Sequence, residues 1–93
     1  MIVKTRLASD SSLYRLLAPV DDCPFSTLVN DIVEQWNLRK TEEYSLLRKE
    51  AKGEQLIIDK EKEWKLFCRL HPTEHNEVVE LQVISASSLS KLL

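Results

Sequence analysis

Glycine is almost missing from this chain: among 93 residues there is one, Gly53. Loops that cradle phosphate or a dinucleotide need glycines at fixed spacings, because the backbone must come close to the anion. That scarcity excludes a phosphate loop and a dinucleotide fingerprint, and no nucleophile elbow is present either. The two histidines, His71 and His75, have no matching serine or carboxylate motif. No catalytic set can be assembled from them, so neither an enzyme nor a cofactor is expected.

Cysteine is scarce too. Cys23 and Cys68 are too few for a disulfide framework, and MIVKTRLASD at the start has no apolar signal core. Free thiols in a reducing, cytoplasmic setting are the expectation. No apolar run nears the ~20 residues that span a bilayer. Charge of one sign is also lacking. Thirteen basic and fifteen acidic residues leave a net charge of −2. Nucleic acid held by bulk electrostatics is therefore not expected, and membrane contact should be indirect or weak. Metal is not expected. Cys68, His71 and His75 form a C-x2-H-x3-H string that Cys23 could complete, but no second close cysteine pair accompanies it.

What the chain does have is one unmistakable helical stretch, Pro24 to Leu38. Phe25, Leu28, Ile32 and Trp36 recur at helical spacing beside Val29 and Val33, while Asn30, Asp31, Glu34 and Gln35 fill the other side. Trp36 falls in the phase of the core. Pro24 suits the first turn, Asp21 and Asp22 suit the positive end of the helix dipole, and Arg39 and Lys40 suit its far end.

The flanks read as strands. IVKTRL alternates over residues 2–7, with Val3, Thr5 and Leu7 on one side and Ile2, Lys4 and Arg6 on the other. Ala8 to Ser12 reads as a turn and Leu13 to Ala18 as the second strand of a hairpin. Tyr44 to Lys49 and Leu56 to Ile58 form two more strands around the AKGE turn. Asp59 to Lys65 is charged, and with Trp64, Leu66 and Phe67 it suggests a short helical or irregular segment with Trp64 partly exposed. His71 to Asn76 reads as a loop, Glu77 to Ile84 as the last strand, and Glu74, Glu77 and Glu80 as a solvated acidic face. Residues 86–93 are serine-rich and read as a tail, the start of a linker, or a short docked helix.

The order is ββαββ(short helix)β. A right-handed crossover through the helix makes the first and last strands parallel neighbours. The expectation is an α+β domain over residues 1–85: a mixed sheet with one main helix packed on one face, the ubiquitin-like β-grasp arrangement.

Four stretches carry a family resemblance: the opening IVK, PFSTLVNDIVEQWNL, EEYSLL and the closing NEVVELQVI. Together they resemble ubiquitin-like domains of the Ras-binding, Ras-association or FERM first-lobe type. The first FERM lobe of talin and kindlin is similar, as is the N-terminal Ras-binding-like domain of ELMO scaffold proteins. The chain ends in Lys-Leu-Leu rather than a glycine pair, so it resembles a module of a larger signalling or cytoskeletal scaffold more than a conjugated modifier. The resemblance implies a small GTPase of Ras or Rho type, or another protein domain, as partner. It implies Lys4, Arg6, Arg15, Arg39 and Lys40 as the contacts, with the β1–β2 edge offering main-chain hydrogen bonds. The alternation of LYRLLA leaves the side on which Arg15 points open. The alternative is a structural FERM-like lobe that packs against its own protein and binds no GTPase.

Overall fold

Period-two patterning becomes a hairpin at once. In the computed structural model, which describes residues 1–19, 23–49, 53, 55–71 and 77–92, β1 spans Ile2–Leu7 and β2 spans Asp10–Leu17. Val3 and Thr5 are buried, while Lys4 and Arg6 are half-exposed on the other face. The turn is tighter than the Ala8–Ser12 reading, for β2 already begins at Asp10. The cause is local: the Asp10 carboxylate accepts the Ser12 amide at 3.1 Å and its hydroxyl at 2.5 Å, and Leu7 pairs with Asp10 across the ladder after a register shift.

Helix α1 spans Phe25–Gln35 and buries Leu28, Ile32 and Val33. Its end is a Schellman motif. Leu38 N–H donates to the Val33 carbonyl at 2.9 Å and Asn37 N–H to that of Glu34 at 3.2 Å, with Asn37 left-handed at φ 53°. This closure ends the helix before Arg39 and Lys40, so its last turn carries no basic residue. At the other end Pro24 is the N-cap and supplies no side-chain bond. A carboxylate arrives from elsewhere: Glu61 accepts the Phe25 amide at 2.5 Å. Asp21 and Asp22 lie outside the described residues.

Strands β3 (Tyr44–Lys49) and β4 (Gln55–Ile58) follow. Of the turn between them Gly53 alone is described, at φ 86°, where a side chain would be strained. The stretch expected as a short helical or irregular segment is a ten-residue helix, α2, Glu61–Leu70. Its inner face is narrow, Trp64 and Phe67 one turn apart, which is why the surrounding charges hid it. Glu61 and Glu63 in the first turn and Arg69 in the last match the dipole. Trp64 is not partly exposed. It is 1% accessible, stacks on Phe67 at 5.9 Å, and donates its indole N–H to the Cys23 carbonyl at 2.7 Å.

Strand β5 spans Val78–Ser85 with Val79, Leu81 and Val83 buried. Residues 86–92 form helix α3, Ala86–Leu92, whose Ser88 amide donates to the Ser85 hydroxyl at 3.3 Å. The sheet order is β2-β1-β5-β3-β4. β1 and β5 are parallel central neighbours and the remaining pairs are antiparallel, as the crossover argument requires. The core joins Val3, Leu28, Ile32, Leu46, Ile58, Trp64, Phe67 and Leu81 between the sheet and one layer of helix.

Candidate functional site

β1 sets the geometry. Since Val3 and Thr5 point into the core beneath α1, alternation sends Lys4 and Arg6 to the opposite face. There both reach over the ring of Tyr14 of β2. Lys4 Nζ stands 4.3 Å from the centre of the Tyr14 ring, and the Arg6 guanidinium carbon 5.3 Å. Arg6 also bonds Glu80 of β5. Glu80 is therefore a partner of the basic residues, not one member of an isolated acidic face. Glu77 likewise pairs with His71 at 3.1 Å, and Glu74 lies outside the described residues.

Arg15 does not join this pair. It faces Thr5 across the ladder, so it shares the α1 side, and its guanidinium carbon lies 5.1 Å from the Trp36 ring. A small network holds that corner. Trp36 donates its indole N–H to Thr5 Oγ1 at 2.8 Å, and Thr5 Oγ1 donates to the Arg15 carbonyl at 3.2 Å. Trp36 is partly buried against the core, in the phase the helical spacing indicates. Arg39 and Lys40 are exposed beyond α1. Lys40 lines a cleft of about 820 Å³ between α1, the start of β3 and α3, with Val29, Tyr44 and Leu89. Of the five residues singled out, Lys4 and Arg6 are thus brought together, Arg15 sits at the same edge on the other face, and Arg39 and Lys40 belong to the link that leads to β3.

β2 is an edge strand, and Leu13, Tyr14 and Leu16 on it are exposed. One of its carbonyls is taken: Gln35 Nε2 donates to Leu16 O at 2.9 Å. Sequence reasoning passed over Tyr14. Its signal was there to find, an aromatic between two exposed leucines on the strand beside Lys4 and Arg6.

His71 is a structural linker. Arginine cannot accept, so the Arg48 Nη1 contact at 2.8 Å makes His71 Nε2 the acceptor and leaves Nδ1–H to donate to Glu77 at 3.1 Å. Among the described residues no cluster of His, Cys, Asp and Glu could hold a metal, and His75 lies outside them. Burial, helped by Asp31 and Glu61, pushes the Cys23 thiol up from its ordinary value, so it stays protonated at neutral pH. No helix among the described residues is long and apolar enough to cross a membrane.

No protein-family model matches the chain, and no curated protein does. Among solved structures it is similar to one described as "AtNBR1-PB1 domain", with a TM-score of 0.71 at 17% identity, over 92% of this chain and 97% of that one. The likeness establishes the fold as an α+β ubiquitin-like β-grasp.

Proposed function

We propose that this chain is a non-catalytic protein-interaction module that receives an acidic surface of a partner protein at its β2 edge. The observation that carries the reading is that Lys4 and Arg6 both stand over the ring of Tyr14, on an edge strand with exposed side chains. Main-chain groups of such an edge can pair with a partner strand, and the cations speed and orient the encounter. The fold shared with a PB1 domain supports an interaction role in general terms. The partner class we favour is a small GTPase of Ras or Rho type in its GTP state, whose acidic switch region would meet Lys4 and Arg6. Arg15 would touch it from the other side of the strand, and Arg39 and Lys40 would add long-range attraction. Two unlinked thiols, one of them buried, fit a cytoplasmic setting.

Titration of the chain with a panel of GTP-loaded and GDP-loaded GTPases tests this. We expect nucleotide-dependent binding that weakens with salt, and a roughly tenfold loss in Lys4→Glu, mostly in association rate. No nucleotide dependence across the panel removes the GTPase partner. An unchanged affinity in Lys4→Glu for whatever protein does bind removes this surface.

A second reading has its own observation. Leu13 and Leu16 are 62% and 55% exposed on the same strand, as on a lobe detached from its neighbours. A structural lobe would bind a neighbouring domain of its own protein through those leucines, with little salt dependence.

A further inference from the structure

The opposite side of the molecule carries a second, differently built surface. Helix α2 follows β4, the other edge of the sheet from β2. Its inner face is Trp64 and Phe67, both 1% accessible, with Cys68 packed against the same core. Its outer face is neither plainly polar nor plainly apolar. Lys62, Lys65, Leu66, Arg69 and Leu70 are all exposed, and they stand at i, i+3, i+4, i+7 and i+8, so they form one stripe along the axis. At 100° per residue Lys65, Arg69 and Lys62 run along one flank, and Leu66 and Leu70 lie side by side on the other. The two leucines are 56% and 67% exposed. Leu56 joins that end of the molecule, for it stands opposite Arg48, and Arg48 reaches His71 at the end of α2. Of the three cations only Lys65 has an ion-pair partner among the described residues, Glu61 at a loose 4.0 Å.

Three cations beside an apolar ridge one turn long specify their complement. We infer that the outer face of α2 docks an acidic amphipathic helix of another protein. Leu66 and Leu70 would sit in a groove between apolar side chains of that helix, four residues apart, in ridge-into-groove packing. Carboxylates one flank over would meet Lys62, Lys65 and Arg69. A lipid surface fits less well. Two leucines, 56% and 67% exposed on a ridge one turn long, give little area to insert. A second copy of this chain fits less well too. The outer face of α1 offers Asp31 and Glu34, but its apolar residues are occupied by its own core. The inference stands apart from the β2 edge, so both surfaces could be filled at once.

The experiment is an amide-resolved NMR titration of the chain with a synthetic helix-forming peptide of about four turns. The peptide carries leucines at i, i+4 and glutamates on the adjoining flank. Saturable shifts should map to residues 62–70, and the double variant Leu66→Asp/Leu70→Asp should weaken binding at least about tenfold while keeping the parent's thermal unfolding. Lys4→Glu should bind the peptide as the parent does. A version of the peptide with lysines for the glutamates should not bind. Absence of saturable shifts, shifts confined to β1 and β2, or equal response to the lysine peptide would overturn the inference. So would either of two other results: co-sedimentation with anionic vesicles that depends on Leu66 and Leu70, or self-association that depends on them.

Discussion

The two ends of the sheet are finished in opposite ways. β2 is eight residues long, its side chains mostly exposed, and it is held from outside by a Gln35 amide and by Arg15 resting on Trp36. β4 is four residues long, and after it α2 swings Trp64 and Phe67 into the core. Large buried aromatics contribute most to stability where they are fully enclosed, and exposed ones contribute little. So the β4 end contributes most to holding the domain together, and the β2 end contributes least.

The sharpest way to break that contrast is to delete an aromatic from each end. Trp64→Ala removes the largest fully buried side chain and leaves the Cys23 carbonyl without its 2.7 Å donor. A loss of about 3–5 kcal/mol is expected by denaturant unfolding. Tyr14→Ala, at the exposed strand, should change stability by about 0.5 kcal/mol or less. Comparable losses in the two variants would mean that the ends are not divided in this way.

A smaller effect sharpens the contrast within the β2 end itself. Thr5 is wholly buried and links three elements through one hydroxyl, accepting from Trp36 and donating to the Arg15 carbonyl. Thr5→Val keeps the shape and orphans the indole N–H. About 1–2 kcal/mol should be lost, and the Trp36 fluorescence should shift as the ring loosens beneath Arg15. An unchanged melt would mean that water replaces the hydroxyl without cost.

The contrast also explains what could be read in advance. α1 was legible because its apolar residues recur over three turns, and β1 and β5 because their alternation is long. With those placed, the parallel pairing of β1 with β5 follows from handedness. α2 was legible only as a short helical or irregular segment, because two residues, Trp64 and Phe67, carry its buried face amid charges, too few for periodicity to fix its length. Lys4 and Arg6 could be found because neighbouring positions of the same parity on a strand share a face. The side taken by Arg15 could not, because it depends on the pairing of Thr5 with Arg15, a register that the short turn sets. The Arg6–Glu80 pair spans 74 positions of sequence, and no local pattern contains it.

The smallest expected effect lies at the tip of the hairpin, where β2 begins. Two bonds from Ser12, first its hydroxyl and then its amide, hold the Asp10 carboxyl below its ordinary value of 3.8. The charged form is the one that accepts these bonds, so folding favours it. The sign follows. A carboxyl whose folded value is depressed adds stability at pH above its unfolded value, and loses that contribution as pH falls through the folded one. Ser12→Ala removes the hydroxyl and leaves the amide, so the Asp10 midpoint should rise part of the way toward 3.8. Carbon-detected titration of the side-chain carboxyl reads this directly. Asp10 is fully exposed, so water screens the gain, and the unfolding midpoint of the variant at neutral pH should match the parent's. If the midpoint does not move, the hydroxyl is not what starts β2 at Asp10, and the tight turn must rest on the backbone pairing of Leu7 with Asp10 instead.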